Sequence, residues 1–228
     1  MRTREADRSL VEFLRSVDTP TLSNAIELLQ VRPKNEGFAP LRLRSLFPEF
    51  GRLCGHAVTA HVETFTRSGD CEEAKFLELF RAVASAPKPA VVALQEVGGC
   101  GDCAVHCGEL MATIFNRLGA VGLVSDCAVR DIAQVRALKF HYFARGSVAS
   151  YANFRVVRVG IPIQVLGLII QPGALLHGDE NGLIVVPPEV FSGLRRAVER
   201  IRSRERKLIK FVRTSNFSVN SLRGRFLE

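Results

Sequence analysis

Two hydrophobic periods alternate along most of the chain, and their alternation predicts the architecture. Residues 18–29, DTPTLSNAIELL, place Ala25, Ile26, Leu28 and Leu29 at helical spacing, with Thr21 or Ser23 as the cap. Residues 32–48 carry three prolines and no period, which predicts a loop. Residues 54–62 alternate apolar with small polar side chains, as a half-buried strand does. Helical spacing returns over residues 71–85 through Ala74, Phe76, Leu77, Leu79, Phe80 and Val83, and Pro87 and Pro89 end it. Residues 90–94 form an unbroken apolar run, the mark of a buried strand.

The same alternation then repeats. A loop containing Gly98, Gly99 and Gly101 leads to a helix over residues 109–118, built on Leu110, Ile114, Phe115 and Leu118 and stopped by Gly119. Residues 120–124 form a second buried strand, residues 126–130 a loop, and Asp131 opens a helix through Val135 and Leu138. Strand, helix, strand, helix in close succession predicts a parallel βαβ core. Short strands follow at 142–144, 155–159, 161–165, 168–170 and 183–186, with turns at Pro172-Gly173 and Asn181-Gly182. The expected fold class is α/β, one domain over residues 1–190 with helices packed on a mixed sheet, followed by a basic helix and tail over 191–228.

Composition narrows the class. At 228 residues, 47% hydrophobic and 24% charged, the chain can bury one good core. The first twelve residues mix Arg2, Arg4 and Arg8 with Glu5, Asp7 and Glu12, unlike a secretory leader. No apolar run reaches membrane-spanning length; the most apolar stretch, residues 161–170, is broken by Pro162, Gln164 and Gly167. The expectation is a cytoplasmic protein whose six cysteines are reduced thiols. The net charge of +8 lies entirely in residues 191–228, which hold eleven Lys or Arg and three Glu; the rest balances twenty basic against twenty acidic groups. Arg195, Arg196, Arg200, Arg202, Arg204, Arg206 and Lys207 cover every face of a helix, and no nucleic-acid stacking motif accompanies them. A solvated helix is therefore preferred to a nucleic-acid contact.

Three groups of residues carry candidate chemistry. Glu109 opens one helix and Arg130-Asp131 the next, at the carboxyl ends of strands, where open α/β sheets bind ligands. There the N–H groups of Leu110 and Met111 would face an anion. Arg130 offers a planar fork for a carboxylate, and Glu109 and Asp131 offer hard oxygens for Mg²⁺. Taken alone, an Arg-Asp pair at a helix start is ordinary capping. Cys100, Cys103, His106 and Cys107 have metal-ligating side chains, but their crowding into eight residues suits a glycine loop better than zinc. Residues 176–182, LHGDENG, include His177, Asp179 and Glu180, and read as a tight turn. No G-x-G-x-x-G follows a strand and no G-x-S-x-G is present, so classical dinucleotide binding and nucleophile-elbow hydrolysis lack support.

Taken in order, several segments resemble the RraA-like family. They are Ser23-Asn24-Ala25, residues 55–59, the block GGCGDCAVHCGELMATIFNRLGAVGLVSDCAVRDIAQV over 98–135, Phe143-Ala144-Arg145-Gly146, Gln171-Pro172-Gly173 and HGDENGLIVVP over 177–187. The resemblance spans about residues 18–190. The family's aldolases have an acid, twenty residues, then Arg-Asp, and Glu109 with Arg130-Asp131 has that spacing. Glu109 stands where those aldolases have Asp, Gln134 and Ala174 where an acid is common. The resemblance implies a layered α/β/β/α, swivelling-domain-like fold and a class II pyruvate aldolase. Its substrates would be 4-hydroxy-4-methyl-2-oxoglutarate or 4-carboxy-4-hydroxy-2-oxoadipate, with oxaloacetate decarboxylation as a side activity. It also implies Mg²⁺, Mn²⁺ or another divalent metal on Asp131 and Glu109, and Arg130 as the catalytic cation. Gly108, Leu110 and Met111 would contact a small 2-oxo acid, in a homotrimer or homohexamer. The alternative within the family is a non-catalytic protein that regulates a ribonuclease. A methyltransferase reading lacks its cofactor loop.

Overall fold

The computed structural model describes residues 2–64, 72–99, 101–150 and 153–223. The elements in chain order are α1 (Arg2–Arg15), α2 (Thr19–Leu28), β1 (Arg44–Ser45), β2 (Leu53–Glu63), α3 (Glu73–Ser85) and β3 (Ala90–Glu96). Next come α4 (Glu109–Arg117), β4 (Ala120–Ser125), β5 (Ala128–Val129), α5 (Ile132–Ala137), β6 (His141–Ala144) and β7 (Gly146–Ser147). The chain continues with β8 (Arg155–Val159), β9 (Ile163–Val165), β10 (Leu168–Ile170), β11 (Leu175–Asp179), β12 (Gly182–Val186) and α6 (Leu194–Val212).

Strands β2, β3, β4 and β6 pair in parallel, as the βαβ pattern requires. The main sheet runs β1-β6-β4-β3-β2-β11-β12 and is mixed, because β1, β11 and β12 join it antiparallel. Strand β2 is long enough to hold two partners on one edge, β11 along its first half and β8 along its second.

Side-chain alternation divides the core. On β2 and β3, Val58, Ala60, Val62, Val92 and Leu94 face one way and pack with Leu79 and Val83 of α3 and Phe115 of α4. Ala57, Val91 and Ala93 face the other way, onto the β9–β10 hairpin through Ile163, Val165, Leu168 and Ile170. Both faces are covered, so the central strands read as continuous apolar runs. A third cluster joins α1, α2 and the first half of α6 to β11 and β12 through Leu14, Leu22, Ile26, Leu175, Ile184, Leu194 and Val198. This is the expected layered α/β fold with a mixed sheet. Among the described residues, no helix is long and apolar enough to cross a membrane.

Several local expectations are corrected. The cap of α2 is Asp18, whose carboxylate accepts the Thr21 N–H at 2.8 Å, in place of Thr21 or Ser23. The proline-rich loop contains β1. Residues 175–179 are a buried strand, and the turn is confined to Glu180 and Asn181, because β2 offers that segment a long open edge. Cys103 is disulfide-bonded, whereas Cys54, Cys107 and Cys127 are free and buried. Reduction throughout therefore does not hold. Cys71 and Cys100 lie outside the described residues. The apolar stretch 161–170 is largely consumed within the chain; only Ile169, 61% exposed, is left as a large apolar side chain on the surface.

Candidate active site

The βαβ order brings the ends of β3 and β4 side by side, and the two helix starts that follow meet. The Glu109 N–H, first in α4, donates to Asp131 Oδ2 at 2.8 Å. Asp131 flanks α5 but makes no side-chain cap there; its carboxylate caps the neighbouring helix instead. To reach it, Asp131 adopts a left-handed backbone, φ +57°, a strained conformation for a residue with a Cβ. Gly108 is required by the same contact, since a Cβ there would sit 2.4 Å from Asp131 Oδ2. Below them Arg130 N–H donates to Cys107 O at 3.0 Å, which zips the 105–108 segment to the start of α5.

Arg130 Nη1 donates to Ser150 O at 3.2 Å, and its Nε lies 3.6 Å from Asp131 Oδ2. Both side chains remain about one-third exposed, at 36% and 34%. All six residues expected from the sequence, Gly108, Glu109, Leu110, Met111, Arg130 and Asp131, line one cavity of about 490 Å³. Phe76, Phe154 and Met111 supply its apolar wall. Among the described residues, Asp131 Oδ1 and the Glu109 carboxylate take no hydrogen bond, and the first N–H groups of α4 have no helical partner. Two hard oxygen donors with room for water beside them match what Mg²⁺ accepts. The donor chemistry is of the kind a hard divalent ion takes.

Behind this cavity lies a buried polar network that sequence spacing does not reveal. Spacing groups His106 with Cys103 and Cys107; the fold turns it toward Glu96 of β3 and Ser125 of β4. His106 Nδ1 is 2.8 Å from Ser125 Oγ, and Nε2 is 2.9 Å from Glu96 Oε2. Ser125 Oγ accepts the Cys127 N–H at 3.0 Å and has no other acceptor for its own proton among the described residues, so it donates to Nδ1. His106 therefore donates from Nε2. Glu96 also accepts from Thr64 N and Oγ1 and from Gly98 N. Burial pushes the Glu96 carboxyl up, but these bonds outweigh it and leave it below its ordinary value. Glu96, His106 and Cys127 hold potential metal-ligating atoms within 4.8 Å of one another. Four N–H and O–H donors and, at 4.0 Å, the Cys127 thiol already surround the Glu96 oxygens.

Of the remaining candidates, His177 and Asp179 make structural contacts. Burial pushes the Cys107 thiol up to about 12, opposite to what an activated thiol needs. His177 Nε2 donates to Leu14 O at 3.0 Å and Nδ1 lies 3.1 Å from Thr19 Oγ1. Asp179 accepts from Thr19 N and Asn181 N, each at 2.8 Å. Together these two side chains of β11 clamp the α1–α2 turn to the sheet. Glu180 is exposed at the turn.

A family model described as RraA-like, Aldolase/RraA, matches residues 19–185. The chain belongs to the RraA-like family. A protein of Halalkalibacterium halodurans, provisionally named a 4-hydroxy-4-methyl-2-oxoglutarate aldolase, is 27% identical over 189 residues, 80% of this chain and 79% of that one. Among solved structures, Streptomyces coelicolor RraAS2, described as an unusual member of the RNase ES inhibitor RraA protein family, superimposes with TM-score 0.64 at 21% identity. That match covers 90% of this chain and 96% of RraAS2. A chain described among novel cellulases from gut-associated microbes superimposes with TM-score 0.74 at 19% identity, covering 88% of this chain and 87% of its own. At such identities these two likenesses carry the RraA-like fold alone.

Proposed function

We propose that this RraA-like protein is a divalent-metal-dependent carbon–carbon lyase that releases pyruvate from small 2-oxo acids. The substrates would be 4-hydroxy-4-methyl-2-oxoglutarate or 4-carboxy-4-hydroxy-2-oxoadipate, with oxaloacetate decarboxylation alongside. The observation that carries this reading is the docking of the α4 start on Asp131 with Arg130 beside it, in a cavity with apolar walls. The name of the Halalkalibacterium relative supports it.

Asp131 and Glu109 would hold Mg²⁺ or Mn²⁺, which when bound supplies a Lewis acid for the 2-oxo oxygen. Arg130 would grip the substrate carboxylate with its fork and face the negative charge that grows on the 2-oxo group as the C3–C4 bond breaks and its electron pair is delocalised from C3 onto the 2-oxo oxygen. The N–H groups of Leu110 and Met111, at the positive end of α4, would face the same carboxylate. Phe76 and Phe154 would keep water from the developing carbanion.

The test is pyruvate release from oxaloacetate with Mn²⁺, compared with chelator. Arg130→Ala should lower kcat/KM by about 100-fold or more, because it removes a charged donor aimed at the transition state. Arg130→Lys should recover little, since an ammonium lacks the fork. Asp131→Ala should abolish turnover at low metal. Equal turnover by wild type and folded Asp131→Ala at low metal would overturn the assignment.

A further inference from the structure

Three arginines outside the described site converge on one cavity. Arg42, in the turn before β1, and Arg44, the first residue of β1, flank the buried Leu43 and are both exposed. Arg44 pairs in register with Ala144, and the next residue of that strand end is Arg145. All three line a cavity of about 350 Å³ floored by Ala128 and Ser147. Arg145 is held there: Asp102 pairs with it, and a Cβ at Gly101 would lie 2.5 Å from its Nη1, so only glycine lets the guanidinium lie so close. Asp102 is the only acid in the lining, and Arg42 and Arg44 have no acidic partner among the described residues. Three guanidinium groups against one carboxylate leave an uncompensated positive field, which an anion would neutralise.

This cavity is linked to the candidate active site by shared lining residues. Ser147 and Val148 form walls of both it and a middle cavity of about 400 Å³. That middle cavity shares Arg130 and Asp131 with the active-site cavity. Ala128 of the arginine cavity and Arg130 of the active-site cavity are two residues apart in the chain.

We infer that the Arg42–Arg44–Arg145 cavity is a subsite for the second carboxylate of the substrate, so the protein selects 2-oxo acids with a negative charge at both ends. The inference rests on the proposed function for what happens at Arg130, and reads its own part through binding. Wild type with Mn²⁺ is titrated calorimetrically with pyruvate, which has one carboxylate, and 2-oxoglutarate, which has two. The expected result is 2-oxoglutarate bound at least tenfold more tightly than pyruvate. In Arg42→Ala/Arg44→Ala that ratio should fall close to one, with pyruvate affinity kept. Both substitutions are at exposed positions, so circular dichroism should show the fold intact. An unchanged ratio in the double variant, or equal binding of both acids by wild type, would overturn the inference. So would inorganic phosphate binding more tightly than 2-oxoglutarate and losing that binding in the double variant, which would assign the cavity to a phosphate. Failure of the proposed function registers separately, as no pyruvate release from oxaloacetate by wild type.

Discussion

At the scale of single residues, the site depends on what is missing as much as on what is present. Gly108 has no Cβ, and that absence lets Asp131 reach the Glu109 N–H. Gly108→Ala should therefore displace Asp131 and reduce oxaloacetate turnover at least about tenfold, because small misplacements of catalytic groups are costly. Its melting temperature should fall only slightly, since the cavity is open to solvent there. Turnover equal to wild type would show that Asp131 needs no such approach. His106 has the opposite balance. It lies in the core, and His106→Ala would leave Glu96 Oε2 and Ser125 Oγ short of partners. The expected loss is about 1–3 kcal/mol of stability for each group left unpaired. Urea denaturation would measure it, and a change under about 0.5 kcal/mol would show that water or a shifted side chain replaces the imidazole.

At the scale of elements, β11 joins the helical layer to the sheet. Burial lowers the His177 imidazole from 6.5 to about 4 against the opposing effects of the Leu14 carbonyl, Asp179 and Asp18, with Arg52 adding to the lowering. His141 on β6 is lowered from 6.5 to about 4, first by burial and then by the Arg15 charge. A depressed histidine favours the unfolded chain in acid, because the unfolded imidazole takes its proton first. Stability should thus be unaffected by these groups above pH 6.5 and fall progressively as pH drops from 6.5 to about 4. Each can contribute of the order of 3 kcal/mol to that fall. Urea midpoints at pH 7.5 and 4.5 test this. A His177→Gln variant should show a shallower acid dependence, and a slope identical to wild type would remove His177 from the account.

At the scale of the whole molecule, the exposed apolar groups bear on assembly. Residues 161–170 do not argue for it, because the β9–β10 hairpin buries them within the chain. Leu110 in the lining of the active-site cavity is 73% exposed, and Leu41, next to Arg42 in the chain, is 88% exposed. Large exposed apolar side chains are the kind that a neighbouring subunit covers. The expected assembly is a homotrimer or homohexamer, and light scattering at micromolar concentration checks it; a stable monomer would contradict it. Leu110→Asp and Leu41→Asp should shift any assembly toward monomer if these side chains are covered.

The sequence by itself determined the order of the central elements and singled out candidate residues that the fold brings to one cavity. Local periodicity marks β2, β3, β4, α3 and α4 within two or three residues, because both faces of those strands and one face of each helix are buried. The spacing of Glu109 from Arg130-Asp131 is likewise a one-dimensional fact that survives folding, since the parallel βαβ topology brings successive helix starts together. The tertiary structure alone decided the rest. Residues 176–182 read as a turn because Gly178, Asp179, Asn181 and Gly182 disfavour strands, and the open edge of β2 makes the first part of them a strand. His106, Glu96, Ser125 and Thr64 come from four separate segments, and nothing local requires that they share one network. Asp131 reads as a cap for its own helix, yet its strained backbone gives that carboxylate to α4. The convergence of Arg42, Arg44 and Arg145 depends on the antiparallel register of β1 with β6, a pairing of segments about one hundred residues apart that no local pattern encodes.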